Sequence, residues 1–422
     1  MIKFYDPYAE FKEFELVNGL KVYYLCQPGR PWLAVGVEIH AGALSDPAGL
    51  LGVAHFVEHL ASDNVPGYKA SDIENFFSEL GGQVFLGSTS FLSTRYKFFI
   101  PAVAGALRKA GDIFGQMLFG HDLTVEIEVE RGIILQEYRR RFSFEYQLEW
   151  VQKIFQELRP GFWDPERVCP LGNLKTVSAI NHSDLETFYR QQYTPVNASL
   201  VIVGGLDEKE ITQVLNQSAL ARPKDGSRRP LPALLEVVPP PSCPKLEFHM
   251  GEYNTIPVDY LDYSQGFCLP GRYRHLQLTE VVRRMLSSLL FDELREKRSW
   301  TYSTRVESND CGSFVEFIAG VEKVSLSAQS EIASVVAEII ADLPNRQGLF
   351  EQTKQSQLKC YDLHDVNDRC ICDNVLNDLA YRQKIITLGE LVSETKSLTR
   401  DDLISFCTHL EPERALTVIK CQ

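Results

Sequence analysis

Clusters of apolar residues divide the chain into short strands and amphipathic helices. Phe14 to Leu25 is rich in apolar and aromatic residues on either side of an Asn18-Gly19 turn, and Leu33 to Ala41 carries β-branched and small residues, which predicts three strands. The run Leu50 to Leu60 is small and apolar. Asp46 and Pro47 stand before it as N-cap and first helical position, so one helix is expected from Pro47 to Ser62. A second helix is expected over Ser71 to Leu80, stopped by Gly81-Gly82. Two strands rich in Phe, Ser, Thr and Tyr follow between Gln83 and Ile100. After Pro101 the pattern turns helical again, through Phe119 and then from Leu123 to Leu158.

Part of this grammar occurs twice. Ser183 to Phe188 begins a helix ending near Tyr193, and Pro195 to Val203 returns as a buried strand. At the C-terminus Asp401 to Phe406 and Pro412 to Ile419 repeat the sequence of events. Asp184 answers to Asp402, Leu185 to Leu403, Phe188 to Phe406 and Pro195 to Pro412, a duplication of about half the chain. Between the copies, Arg222 to Lys245 is rich in Pro, Gly, Ser and charge and includes Pro239-Pro240-Pro241. It reads as a linker. The expected organisation is therefore two α+β domains, 1–221 and 246–422, joined by 222–245.

Size and charge narrow the function. A chain of 422 residues exceeds what one hydrophobic core usually organises, in keeping with two domains. With 43 basic against 56 acidic residues the net charge is −13, and Arg139-Arg140-Arg141 is an isolated basic piece, so nucleic acid is excluded as a partner. No apolar run approaches the roughly 20 residues of a membrane span, which excludes a membrane partner of that kind. Met1 to Pro7 lacks a signal-peptide apolar region, and Glu10, Glu13 and Glu15 argue against a transit peptide. Ten cysteines lie scattered, and Cys370 and Cys372 have no His or Cys partner at zinc-finger spacing. They are expected to be reduced thiols of a cytoplasmic protein.

The chemistry-bearing stretch is His55-Phe56-Val57-Glu58-His59. Residues four apart share a helical face, so His55 and His59 project together, as two imidazoles must to bind one tetrahedral metal ion. Neutral imidazoles leave most of the positive charge on zinc, which then lowers the pKa of a bound water to roughly 7 and polarises a carbonyl. Glu58, three residues after His55, points at the same region and is placed to act as general base. On the later helix Glu130 and Glu137 lie seven apart and face the same way, but spacing alone leaves Glu126 and Glu128 as open as Glu137 for a third ligand.

This stretch is the inverted zinc motif HxxEH of the inverzincins, and the order of elements resembles peptidase family M16, the pitrilysin and mitochondrial-processing-peptidase type, in its short two-domain form. The resemblance covers nearly the whole chain, from Phe14 to Ile419. It implies two homologous α/β-sandwich domains, each an antiparallel-rich sheet flanked by helices, the first binding Zn2+ and the second non-catalytic. Glu130-Arg131-Gly132-Ile133-Ile134-Leu135-Gln136-Glu137 matches the family segment E-R-x-x-x-x-x-E. By that match Glu137 is the third ligand and Glu130 holds a ligand in place. Leu294 to Ser303 looks like the family pattern LREKxGLxYS, which implies that Arg295 binds peptide carbonyls and Tyr302 donates to the developing oxyanion.

Two places depart from the family pattern. Phe85-Leu86-Gly87-Ser88 stands where Asn-Ala-x-Thr is usual, and Ser299-Trp300 where Gly-Leu precedes the tyrosine. The first bears on how substrate side chains are received, although strand addition uses main-chain bonds. The second sets a bulky indole near Tyr302. The expectation is thus a zinc endopeptidase acting on unstructured peptides within a dimeric chamber, a homodimer of a bacterial cytoplasm, with Glu58 activating water. Two alternatives are a processing-peptidase subunit of an obligate heterodimer with a related chain, and a non-catalytic scaffold relative. Such scaffolds usually lose a ligand or the base, and this chain keeps all four residues.

Overall fold

The computed structural model describes residues 5–63, 65–123, 127–141, 169–227, 245–249, 260–270, 276–310, 314–362, 367–411 and 415–421. They fall into two compact units. The first takes the described residues within Met1–Ser143, Glu166–Leu231 and Asp365–Leu388, the second those within Pro232–His364 and Gly389–Gln422.

The first unit is built on a six-stranded sheet of β1 (Lys12–Glu15), β2 (Lys21–Cys26), β3 (Trp32–Ile39), β4 (Gln83–Thr89), β5 (Thr94–Pro101) and β6 (Ala198–Gly204). The strand order is β1-β2-β6-β3-β5-β4, with β2 and β6 parallel and every other neighbour antiparallel. Its helices are α1 (Val53–Ser62), α2 (Ala70–Glu79), α3 (Ala104–Phe119), α4 (Ile127–Arg141), α5 (Leu174–Ala179), α6 (His182–Gln192) and α7 (Glu208–Asn216). The second unit carries β7 (Lys245–His249), β8 (Tyr260–Pro270), β9 (Ser303–Asp310), β10 (Phe314–Ser325) and β11 (Leu416–Cys421), in the order β7-β11-β8-β10-β9. Again one pair, β7 with β11, is parallel and the rest are antiparallel. Helices in the C-terminal half are α8 (Leu276–Leu290, running on as a π-helical turn Phe291–Lys297), α9 (Ile332–Asp342), α10 (Gln347–Asp362), α11 (Asp368–Arg382), α12 (Leu388–Ser397) and α13 (Arg400–Cys407).

Setting β2-β6-β3-β5-β4 beside β7-β11-β8-β10-β9 matches every strand and every strand direction. The repeat read from Asp184 and Asp402 therefore extends to both sheets: α6 leads into β6 as α13 leads into β11. Between β3 and β4 the first unit places α1 and α2; between β8 and β9 the second places α8. The α8 helix buries Val281, Val282, Met285 and Leu286. Among the described residues no helix is long and apolar enough to cross a membrane.

Two expectations change. The site helix starts at Val53 rather than Pro47, because Gly49 and Gly52 adopt left-handed φ angles of 83° and 93° and turn the chain before the helix begins. The helix expected to run to Leu158 is described as α4 from Ile127 to Arg141, with 142–158 outside the described residues. Most of the expected linker, 228–244, also lies outside them.

The central strands β3 and β6 are buried almost throughout, which a sheet covered on one face alone would not produce. Their second face is covered by α11, a helix of the C-terminal half of the sequence that groups with the first unit. The fit is close at Gly36 of β3, where an added Cβ would lie 2.5 Å from Leu376 Cδ1 and 3.2 Å from Cys372 Sγ. Polar contacts fringe this apolar seam. Lys97 Nζ meets Asp373 Oδ1 at 2.9 Å, Arg95 Nη1 donates to Asn377 Oδ1 at 2.6 Å, and Asn374 Nδ2 donates to Tyr8 at 2.7 Å. Replacing Gly36 with Val should overpack the seam and lower unfolding free energy by about 1–3 kcal/mol. Urea denaturation of parent and variant checks this; equal midpoints would mean that α11 does not rest on β3.

Candidate metal centre

Three local devices fix where α1 begins. The buried carboxylate of Asp46 accepts from the backbone N–H of Gly52 at 2.7 Å and of Ala54 at 3.0 Å, so it caps the helix across a turn rather than from the adjacent position. Thr176 Oγ1, at the start of α5, donates to the Leu51 carbonyl at 2.7 Å. Two glycines let the segments touch: a Cβ at Gly52 would lie 2.5 Å from the Leu171 carbonyl oxygen, and one at Gly172 2.2 Å from that of Leu51.

The helix so anchored is buried on nearly every side. Val53, Ala54, Phe56, Val57, Leu60 and Ala61 are fully buried, and His55 and Glu58 are each only 7% exposed. Helix α4 packs against it. Arg131 of α4 stacks over the Phe56 ring at 5.3 Å and hydrogen-bonds the Val177 and Ile180 carbonyls at the far end of α5, the latter at 2.9 Å. One arginine thus ties α4 to both α1 and α5, which sets the rotation of α4 and aims Glu130 and Glu137 at the histidines.

The sequence-predicted residues of this unit meet. His55 Nε2 lies 3.5 Å and His59 Nε2 3.6 Å from the same oxygen, Glu137 Oε2, and the imidazole ring centres are 4.6 Å apart. His59 Nδ1 donates to Glu130 Oε2 at 3.1 Å, which holds the ring with Nε2 turned toward Glu137. Glu58 Oε2 stands 3.9 Å from His55 Nε2 and accepts from Thr89 Oγ1 of β4 at 3.3 Å. His55, Glu58 and His59 offer donor atoms within 4.8 Å of one another. Zinc at 2.0–2.1 Å from tetrahedral N and O ligands implies donor separations of about 3.4 Å. The two contacts to Glu137 come closest to that value, so the donor set fits zinc.

The electrostatics reflect burial against pairing. Among the protein groups alone, burial, with the nearby His59 charge, pushes His55 down to about 4, and burial pushes Glu58 up to about 7 against the pull of His59 and the Thr89 hydroxyl. Burial also acts downward on His59, but hydrogen bonds to Glu130 and Glu137 outweigh it and raise the group to about 9. The hydrogen bond to His59 holds Glu137 below the usual carboxylate range. A divalent cation at the Nε2 atoms would supply the positive charge that His59 otherwise retains.

The other sequence-predicted pair lies in the second unit, where the Arg295 guanidinium sits 4.6 Å from the Phe291 ring centre and 4.7 Å from that of Tyr302. Tyr302 is 80% exposed, at a recess of about 630 Å³ lined by Tyr260, Arg295, Trp300, Tyr302 and Lys323 among others. Sequence reasoning missed Thr89, Gly87 and the distant reach of Asp46. None belongs to the motif, and each matters through strand register or a turn that residue types alone do not reveal.

Comparison with known proteins identifies the family. Residues 21–159 match the family model described as insulinase (peptidase family M16), and residues 179–355 the one described as peptidase M16 inactive domain. The Escherichia coli protein named "Probable zinc protease PqqL" is 27% identical over 53% of this chain and 24% of its own length, so the chain spans about a quarter of that relative. A protease from Helicobacter pylori superposes with a TM-score of 0.78 at 18% identity, covering 98% of this chain and 99% of the other. The periplasmic protease PqqL from Escherichia coli superposes with a TM-score of 0.79 at 16% identity over 97% of this chain and 47% of its own. At such identities these two likenesses carry the fold.

The cap on α1 is open to test. Asp46→Ala leaves two backbone N–H groups without their acceptor and should cost about 1–3 kcal/mol in denaturant unfolding. Asp46→Asn should recover part of that loss. An unchanged midpoint for Asp46→Ala would remove Asp46 as the anchor of α1.

Proposed function

The chain belongs to peptidase family M16, and on that premise we propose that it is a zinc-dependent endopeptidase of unstructured peptides, with His55, His59 and Glu137 holding the metal and Glu58 as general base. The observation that carries the reading is the convergence of both Nε2 atoms on one Glu137 oxygen, at 3.5 and 3.6 Å. Glu58 could compete for the third position, being one of the three donor groups of α1. Its carboxylate is instead drawn toward Thr89 and stands farther from His55, at 3.9 Å, which suits a group that moves protons.

When bound, zinc supplies Lewis acidity and brings the pKa of water at its open position near 7. The chain's own residues do the rest. Glu58, buried and 3.9 Å from His55 Nε2, is placed to take a proton and return it to the leaving amine. Glu130 holds the His59 ring through Nδ1. From the second unit we assign Arg295 to peptide carbonyls and Tyr302 to the developing oxyanion, a role for which its exposed hydroxyl is available.

For assembly we propose a homodimer enclosing the peptide, since one chain carries both the metal residues and the Arg/Tyr pair; a heterodimer with a related chain is the competing arrangement, and native mass separates them. For compartment we propose the cytoplasm, supported by six described cysteines that are all free, Cys360 and Cys370 among them exposed. The periplasmic PqqL sets the opposing expectation, and fractionation decides.

Two experiments test the roles. Glu137→Gln should weaken zinc binding well beyond the 10- to 100-fold typical of groups that only orient a ligand, Glu130→Gln should fall within or below that range, and Glu58→Gln should keep zinc and fold while peptide hydrolysis drops about 10²- to 10⁴-fold. Metal analysis and a peptide-cleavage assay read all three; full zinc content in Glu137→Gln, or zinc lost from Glu58→Gln, contradicts the assignment. Tyr302→Phe should lower kcat and kcat/KM together by about 10²-fold, and Arg295→Ala should mainly raise KM, with zinc content unchanged in both. Parental cleavage by both variants would remove the second unit from the chemistry.

A further inference from the structure

Behind the Glu58 carboxylate the edge strand β4 is irregular. Its pairing with β5 runs in register from Gln83 to Phe85, shifts between Phe85 and Ser88, and resumes at Ser88 and Thr89. Gly87 lies within the shift. Its φ is not in the left-handed region that favours glycine, so backbone conformation does not call for glycine there. Space does. A Cβ at Gly87 would lie 2.0 Å from Glu58 Oε1, 2.6 Å from its Cδ and 2.8 Å from its Cγ, and these are the three nearest atoms. Every one belongs to the side chain of Glu58, the general base proposed above, and none to the backbone.

Two residues further on, Thr89 Oγ1 donates to the other oxygen, Glu58 Oε2, at 3.3 Å. Thr94 Oγ1 stands 3.3 Å from this hydroxyl and gives its own hydrogen to the Ala41 carbonyl at 2.9 Å, from a fully buried position on β5. The two oxygens of Glu58 therefore meet two different features of one irregular strand: an absent side chain against Oε1 and a hydroxyl that donates to Oε2.

We propose that Gly87 and Thr89 are positioning residues for Glu58: the bulge in β4 forms a seat that lets the carboxylate lie back against the strand at Gly87 while Thr89 sets its rotation. This rests on Glu58 being the general base.

The clash expected of Gly87→Ala falls on the end of a flexible side chain, so the variant should fold, with the carboxylate pushed out of its seat. A displacement near 1 Å can cost about 10²-fold in rate. For the zinc-loaded full chain we expect Gly87→Ala to keep zinc content, thermal midpoint and KM while kcat falls about 10²-fold. The effect should shrink to near nothing in a Glu58→Gln background, since a residue that acts through the base has nothing left to place. Thr89→Val, close to Thr in shape, should lower kcat in the same non-additive way, and Thr89→Ser should restore it. Parental kcat in Gly87→Ala, an undiminished loss in the Glu58→Gln background, or loss of zinc or thermal stability along with activity would each overturn the proposal. A Glu58→Gln enzyme with parental activity would instead overturn the base assignment itself, so the two failures are told apart.

Discussion

A buried helix that carries two imidazoles and a carboxylate is the constraint on which the first unit depends. Taking such groups out of water is costly unless each is paired or hydrogen-bonded. Helix α1 withdraws His55 and Glu58 to 7% exposure among fully buried apolar neighbours. The surrounding elements answer that cost one group at a time: Glu130 of α4 meets His59 Nδ1, Glu137 of α4 faces both Nε2 atoms, and Thr89 of β4 meets Glu58. Arg131 holds α4 in the rotation this requires, using the Phe56 face and two carbonyls at the end of α5. Both Nε2 atoms face one Glu137 oxygen, at 3.5 and 3.6 Å, which is where the proposed metal ion would sit.

The duplicated architecture shows how narrowly the chemistry is placed. Five strands of the first sheet share the order and directions of the second sheet, so the backbone offers both units the same helix position, between β3 and β4 in one and between β8 and β9 in the other. In the first unit that position holds α1 with its ionisable face. In the second, α8 fills it with Val281, Val282, Met285 and Leu286 and then loosens into a π-helical turn bearing Arg295. The fold supplies the position, and a few side chains decide what it does.

Much of this is legible in the sequence because periodicity reports what a residue faces locally. The strands around Asn18-Gly19, the helix stopped at Gly81-Gly82 and the His55/Glu58/His59 face all follow from spacing. The start of α1 does not, since spacing makes Asp46 an adjacent cap whereas the intervening glycines turn the chain first. Nor does the covering of β3 and β6 by α11: its residues lie far along the chain, and their fit to Gly36 is a matter of volume across the sheet rather than of pattern along it. Spacing also could not choose among Glu126, Glu128 and Glu137. The family resemblance implies Glu137, whose Oε2 lies 3.5 and 3.6 Å from the two Nε2 atoms, while Glu126 lies outside the described residues. The seat at Gly87 was illegible because glycine announces a turn by default, whereas here it marks the volume of another residue's carboxylate.

The central claim is that two imidazoles of α1 and one carboxylate of α4 share a metal while the carboxylate of α1 stays outside. Crystals of the zinc-loaded protein, with anomalous differences recorded above and below the zinc absorption edge, test it directly. The account predicts a single strong peak within about 2.0–2.2 Å of His55 Nε2, His59 Nε2 and a Glu137 oxygen, with Glu58 beyond coordination distance. A peak coordinated by Glu58, with Glu137 turned away, would contradict it.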